Sequence, residues 1–462
     1  MNNNLDKLKI CYIGGGSRDW AWVFMKDLCF EKEISGVIHL YDINIEAAQA
    51  NEAMGNKLMT AYSGRWNFKT EPSLEKALTN SDFVIISILP GGFEDMAIDV
   101  HSPEQYGIYQ SVGDTVGPGG LNRSLRTVPM YEEIALAIKK WAPLAWVINY
   151  TNPMAVCTRT LYRVFPEIKA FGCCHEVFHA QELLASAAVH AGLAEAIKRE
   201  EIITNVVGLN HFTWIDRASW RDVDLFPVYG RFVEEFAETG YHEGSLEGWQ
   251  NNYFESGHRV KMDLFRRYGI IAAAGDRHMA EFCPSQWYLK NPDMVKAWQF
   301  SLTPVSWRMK EREKLKKKSK AFRDGIESMN VEPSGEEGIR QLKALLGLGN
   351  FMTNVNLPNW GQIPGFPEDA VMETNAWFSR DNIQPVITEG LPDPLRNLTM
   401  QHVQNQEGII DAALERDLEA AFRVFLNDVQ VRTISREDAR LLFIYMTEET
   451  LPPDWNKRSS IN

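Results

Sequence analysis

The chain has 462 residues, enough for two or three compact units at roughly 150 residues each. Hydrophobic residues make up 45% and charged residues 24%, the balance of a globular protein, which excludes a disordered, collagen-like or membrane-embedded chain. Forty-eight basic against 61 acidic residues leave a net charge of -13, which repels a phosphate backbone and argues against nucleic-acid binding.

In chain order, a short polar lead, Met1 to Lys9, gives way to the apolar alternation Lys9 to Ile13. That lead holds no hydrophobic signal segment, and runs such as Phe83 to Leu89 are strand-sized, so a cytoplasmic protein without membrane contact is expected. The first strand runs into Gly14-Gly15-Gly16-Ser17, after which Trp20 to Glu31 reads as a helix. Gly36 to Tyr41 is a second strand ending in Asp42, and Asn44 to Ser63 has helical spacing. Phe83 to Leu89 is a third strand, stopped by Pro90-Gly91-Gly92. Helix Val128 to Trp141 leads into strand Ala145 to Tyr150 and the turn Thr151-Asn152-Pro153, and Ile168 to Phe171 is a further strand. Such alternation predicts an α/β fold with a doubly wound parallel sheet.

After about residue 200 the rhythm changes to more aromatic residues and Pro-containing turns such as Asn356-Leu-Pro-Asn359, with helices at Trp307 to Phe322 and Gln404 to Leu426. Two domains are therefore expected: residues 1–200 binding a nucleotide, and 201–462, of mixed α+β character, completing the site. The basic run Lys310 to Lys320 reads as a solvated helix face.

A glycine turn between a strand and a helix lets the backbone approach a pyrophosphate, whose charge the helix N-terminus favours, so Gly14, Gly16 and Ser17 are cofactor candidates. Asp42, closing the second strand, suits the ribose hydroxyls of NAD and disfavours a 2'-phosphate. Two departures stand out: Asp19 replaces the third glycine, and Asp42 follows Gly14 by 28 positions where about 20 is usual. The six cysteines form no Cys-x-x-Cys pair and are expected to be reduced and mostly buried. One of them lies in Gly172-Cys173-Cys174-His175-Glu176-Val177, with Asn210-His211-Phe212-Thr213-Trp214 downstream. Thiolate and imidazole both bind divalent metals, yet a buried cysteine and a hydrogen-bonded core histidine fit the same residues.

Taken together, Ile13-Gly-Gly-Gly-Ser17, Gly117-Pro-Gly-Gly120 with Leu125-Arg-Thr-Val-Pro129, Asn149-Tyr-Thr-Asn-Pro153, the cysteine motif, Gly208-Leu-Asn-His211 and Asn356-Leu-Pro-Asn359-Trp-Gly-Gln-Ile-Pro364 resemble glycoside hydrolase family 4. The resemblance implies a Rossmann-type sheet like that of lactate and malate dehydrogenases, and a glycosidase that depends on NAD and a divalent metal, usually Mn2+. It also implies the reaction: oxidation at C3, removal of the C2 proton, elimination of the aglycone at C1, addition of water and return of the hydride. The segment Cys174-His175-Glu176-Val177 is similar to the α-galacturonidase subgroup, which points to uronide or oligosaccharide substrates of pectin degradation. At Pro90-Gly-Gly-Phe-Glu94-Asp95 this chain lacks the arginines with which many relatives hold a sugar phosphate.

By the same resemblance, Cys174 and His211 are metal ligands, Asn149 lies at the cofactor, Asn152 orients substrate hydroxyls, and a homodimer or homotetramer is implied. His175 is either the leaving-group acid or a contact to the substrate, and Glu176 is placed to read a sugar hydroxyl. Tyr253 is the expected base, with Asp263 as its competitor. Arg126, Arg259 and Arg277 are the candidate cations for the uronate carboxylate. Asp276-Arg277-His278 with Glu281 reads either as part of the site or as a salt-bridged structural cluster. Alternatives are an α-glucosidase or α-galactosidase of the same family, a malate- or lactate-type dehydrogenase that accumulates NADH, and a non-catalytic NAD sensor.

Overall fold

The structure, a computed structural model, describes residues 5–242 and 252–455. Met1–Asn4, part of the expected polar lead, and residues 456–462, the end of the expected second domain, lie outside the described residues. Among the described residues thirteen strands form one sheet. The parallel part holds β1 (Leu8–Ile13), β2 (Gly36–Tyr41), β3 (Trp66–Thr70), β4 (Phe83–Ile86), β5 (Trp146–Asn149) and β6 (Lys169–Gly172), in the spatial order β3-β2-β1-β4-β5-β6. The antiparallel part holds β7 (Ile202–Leu209), β8 (Phe212–Trp220), β9 (Val223–Asp224), β10 (Ile271–Ala272), β11 (Phe351–Pro358), β12 (Val371–Ser379) and β13 (Asn382–Pro385). Beside β6 the order continues β11-β12-β7-β8-β10, with β13 on β12 and β9 on β8.

The parallel strands are apolar because both faces are covered. Along them alternate residues enter two cores: Ile10, Tyr12, Ile38, Leu40, Ile85 and Ile148 on one face, and Cys11, Ile13, Val84, Ile86 and Val147 on the other. The change expected near residue 200 is therefore one of topology within a continuous sheet, since β6 meets β11 at Gly172 and Asn356. None of the helices described is long and apolar enough to cross a membrane.

Four local expectations need correction. The strand beginning at Phe83 ends at Ile86, because the next residues already turn out of the sheet toward Pro90. The helix expected from Val128 begins at Gly117. Pro118 is harmless in a first turn, and Gly119 and Gly120 are needed there, since a Cβ would lie 2.8 Å from the Asp99 carbonyl oxygen or 2.4 Å from the Thr115 carbonyl carbon. Within it Pro129 has no N–H for Leu125, and the Trp455 indole donates to that freed carbonyl instead at 2.8 Å. Asn356 to Pro358 close strand β11 rather than forming a turn. Finally, the helix expected over Gln404 to Leu426 is two, Asp393–Glu415 and Leu418–Asn427, broken where Arg416 adopts φ +61° and Asp417 caps the amides of Glu419 and Ala420 at 2.9 Å each. The helix Val305–Asp324 carries the basic run as expected, with Lys314 and Lys316 paired to Glu311 and Glu313 on an exposed face.

Candidate active site

In an open α/β sheet, ligands bind beyond the carboxyl ends of the strands where the winding reverses, here between β1 and β4. Five parallel strands deliver the expected residues to that edge: Gly14 follows β1, Asp42 follows β2, Pro90 lies just beyond β4, Asn152 beyond β5 and Cys174 beyond β6.

The glycine turn is held more tightly than its sequence suggests. Gly14 has φ +91°, and a Cβ there would lie 2.0 Å from the Ser87 carbonyl oxygen. Its amide and that of Gly15 donate to the Tyr41 carbonyl at 2.9 Å, and the Gly16 amide donates to Asp42 Oδ2 at 2.8 Å. The glycine amides therefore lock the turn to β2 rather than pointing at a pyrophosphate. The groups left for an anion belong to the next helix, Trp20–Phe30, whose first-turn amides are not capped by the side chain of its N-cap residue, Asp19. Arg18 Nε, buried without a partner, stands beside it. Asn51, which the motif does not reveal, donates to the carbonyls of Gly15 and Ser17 at 2.8 and 2.7 Å. These residues fit a dinucleotide. Asp42 is half-buried and accepts one backbone bond on each oxygen, from Gly16 and Asn44, leaving lone pairs for ribose hydroxyls. Asp42→Ala is expected to weaken NAD binding about tenfold or more in a fluorescence titration, the scale of charge-assisted bonds lost. An unchanged affinity would place the ribose elsewhere.

Asn149, expected at the cofactor, is fully buried and occupied inside the fold. Its Oδ1 accepts from Tyr131 Oη at 2.6 Å and from the Thr151 amide, and its Nδ2 donates to the Thr151 carbonyl. It shapes the turn that presents Asn152, whose Oδ1 is buried without a partner and whose carbonyl accepts from Arg123 Nε at 3.2 Å.

His211 occupies the two-residue turn between β7 and β8 in a left-handed conformation, φ +65°, a strain of about 1–3 kcal/mol for a residue with a side chain. One ligand atom each from His211, Asp114 and His278 lie within 4.8 Å of one another. The imidazole tautomer of His211 follows from its partners. Thr115 Oγ1 donates to Asp114 Oδ1 at 2.7 Å, so it accepts from His211 Nδ1 at 2.9 Å and leaves Nε2 as a lone pair for a metal. The His278 ring lies 3.7 Å from that of His211, with Nδ1 buried and unpartnered. Burial and the neighbouring His278 push His211 down to about 3, and burial also lowers His278, so both rings are neutral as metal ligands must be. Although burial opposes it, the Arg123 guanidinium and the hydrogen bond from Thr115 lower Asp114 below the usual carboxylate range. One carboxylate with two neutral imidazoles is a donor set that fits a divalent metal.

Cys174 lies outside that trio. Burial raises its thiol well above the usual range, and Asn210, next to His211, is its side-chain hydrogen-bond partner. Asn210 is in turn held by the buried Glu373 of β12, which also accepts from Thr213 and Asn354. His175 stacks on Trp20 at 5.4 Å and lies 3.4 Å from Glu336. Burial works against its charged form, but Glu336, Glu176 and Asp19 prevail and raise its pKa. Glu176, expected to read a sugar hydroxyl, instead accepts from the Gly275 amide at 2.7 Å and faces His278 Nε2 at 3.7 Å.

The charged side chains from Asp276 to Glu281 are held largely by backbone groups of other segments. Asp276 accepts from the amides of Val260 and Lys261, at the start of the helix Arg259–Tyr268. Arg277 donates to the carbonyls of Ser301 and Ser111 and to Thr303. Glu281 accepts from the amides of Val112 and Gly113, and so fixes the loop that carries Asp114. Tyr253 packs on Trp307 at 5.4 Å, whereas Asp263 is engaged by Arg267 at 2.7 Å and Tyr288 at 2.5 Å, which removes it as a free base. Arg126 is buried against Asp99, and Arg259 donates to the carbonyls of Ala237 and Ala297, so neither is free for a carboxylate.

Comparison with known proteins covers nearly all of this chain. Residues 9–190 match the model of family 4 glycosyl hydrolases, and residues 206–431 match that of the family 4 glycosyl hydrolase C-terminal domain. An α-galacturonidase of Thermoanaerobacter italicus is 56% identical over 446 residues, 96% of this chain and 97% of that protein. The crystal structure of lplD from Bacillus subtilis superposes with a TM-score of 0.91 at 48% identity, covering 95% of this chain and 99% of the other. A 6-phospho-α-glucosidase from gut microorganisms, solved in complex with NAD and Mn2+, shares the fold, with a TM-score of 0.78 at 20% identity over 96% of this chain and 98% of that one.

Proposed function

Because the chain belongs to glycosyl hydrolase family 4, we propose that it is an NAD- and Mn2+-dependent α-galacturonidase that cleaves by transient oxidation and elimination. The observation that carries this is Cys174-His175-Glu176-Val177 set beside the His211 turn, in a chain 56% identical to an α-galacturonidase. When bound, NAD and the metal supply reversible oxidation at a sugar carbon and acidification of the neighbouring C–H.

The chain's own residues do the rest. The uncapped helix after Ser17 binds the pyrophosphate, with Gly14 and Gly16 keeping the turn close, and Asp42 takes the ribose. Cys174 and His211 hold the metal, with Asp114 and His278 beside them. Asn152 Oδ1 accepts from a sugar hydroxyl, its backbone steadied by Arg123. Tyr253 Oη takes the C2 proton, and His175 Nε2 gives a proton to the leaving oxygen while Glu336 faces the other ring nitrogen. Trp20, stacked on both His175 and Tyr150, fixes the orientation of the acid's ring.

The test is release of nitrophenol from nitrophenyl α-galacturonide, with and without NAD, Mn2+ and a thiol reductant, repeated in deuterated water. Cleavage that needs both additions, deposits deuterium at C2 and accumulates no NADH is the expected result. Cleavage of the neutral glucoside or galactoside alone would overturn the substrate, and protium retained at C2 would overturn the elimination.

A further inference from the structure

The cations near the site differ in what they already hold. Arg126 is paired with Asp99, Arg259 caps carbonyls, and Arg277 gives its Nε and one Nη to Ser301, Ser111 and Thr303. Arg308, on the helix Val305–Asp324, is half-buried and makes no hydrogen bond or ion pair among the described residues. Its guanidinium lies 5.8 Å from the Phe254 ring, and that of Arg277 lies 5.4 Å from the same ring. The next residue along the chain from Arg277 is His278 of the donor trio, and Trp307, beside Arg308, packs on both Tyr253 and Phe254. Arg308 thus shares one aromatic ring with Arg277, the residue before His278 of the donor trio. Its nearest opposite charges, Asp114 and Asp19, act on it through space without pairing with it. Partly desolvated cations are normally paired, so an unpaired guanidinium this near the donor trio is a site for an anion brought by a ligand.

We propose that Arg308 receives the carboxylate of the sugar acid, and so sets the preference for a uronide over a neutral glycoside. The inference rests on the α-galacturonidase reading. A guanidinium fork matches a carboxylate in two parallel hydrogen bonds, a geometry that a lysine does not reproduce. The other anion the proposed site would receive is the cofactor pyrophosphate, at the N-terminus of the helix Trp20–Phe30.

The experiment is calorimetric titration of the holoenzyme, loaded with NAD and Mn2+, with galacturonate and separately with galactose, for wild type, Arg308→Gln and Arg308→Lys. NAD affinity is measured in parallel on the same proteins. Wild type is expected to prefer galacturonate. Arg308→Gln should weaken galacturonate by about 10–100-fold, the scale of a charge-assisted pair, while galactose stays within about twofold and NAD is unmoved. Arg308→Lys, which keeps the charge and the fold, should fall in between. Galacturonate affinity retained in Arg308→Gln would overturn the assignment and leave the family reading standing. A parallel loss of NAD affinity would give the guanidinium to the pyrophosphate and also overturn it. Wild type binding both sugars equally would overturn the uronide reading itself.

Discussion

His211→Ala is expected to lower turnover by about a thousandfold or more, since a metal that stabilises developing charge contributes several kcal/mol and each 1.4 kcal/mol is tenfold in rate. The cause is local. The hydrogen bond to Thr115 leaves the His211 Nε2 lone pair free, and one ligand atom each from His211, Asp114 and His278 lie within 4.8 Å of one another. Direct Mn2+ binding, followed by the loss of the free-ion paramagnetic resonance signal, should weaken in step with activity. Unchanged Mn2+ affinity in this variant would remove His211 from the metal site.

The same measurement separates two donor sets that share His211. One pairs it with Cys174, the other with Asp114 and His278. If the thiolate is a ligand, Cys174→Ala should cost as much Mn2+ affinity as His211→Ala, and binding should release the thiol proton that burial otherwise retains. If the trio is the site, His278→Ala should be the more damaging and Cys174→Ala mild. Thr115→Ala, which frees the His211 ring to change tautomer, is expected to cost about 10–100-fold in affinity in either case.

The parallel half of the fold is legible because its strands are buried on both faces and read as apolar runs, as Phe83-Val-Ile-Ile86 does. β3 escapes notice because Trp66-Asn-Phe-Lys-Thr70 offers only two buried apolar side chains. The antiparallel half is hidden for a different reason. In β11 and β12 buried positions are held by Thr353, Asn354, Asn356, Thr374 and Asn375, polar residues that a hydrophobic pattern discounts, and Glu373 among them is satisfied by three side chains from other segments. Gly14, Gly16 and Asp42 could be picked out as candidates because they are close in sequence and follow the strands β1 and β2. Asp114 could not, since a loop, a hairpin turn and a helix bring the trio together without any spacing in the chain, and His278 stood out only within a segment that read equally well as structural. Asn51 was equally silent: it acts on the carbonyls of a distant segment, and such a role leaves no motif.

The buried pair Arg126 and Asp99 gives the largest expected effect on stability. Both side chains are almost wholly enclosed, Arg126 binds the carboxylate with both Nη groups, and its Nε donates to the Pro90 carbonyl at 3.2 Å. Burial raises the Asp99 pKa, and Arg126 is the main influence opposing it. Arg126→Met therefore leaves an uncompensated buried carboxylate, a loss of about 3–5 kcal/mol in urea unfolding. Replacing both partners, Arg126→Met with Asp99→Leu, should recover much of it, because an apolar pair of similar volume carries no desolvation cost. This also decides the place of Arg126 among the candidate cations. A structural arginine lowers stability and leaves galacturonate affinity per folded molecule unchanged, whereas a carboxylate-binding one would lose affinity at native stability. The second outcome would return Arg126 to the candidate cations for the uronate carboxylate.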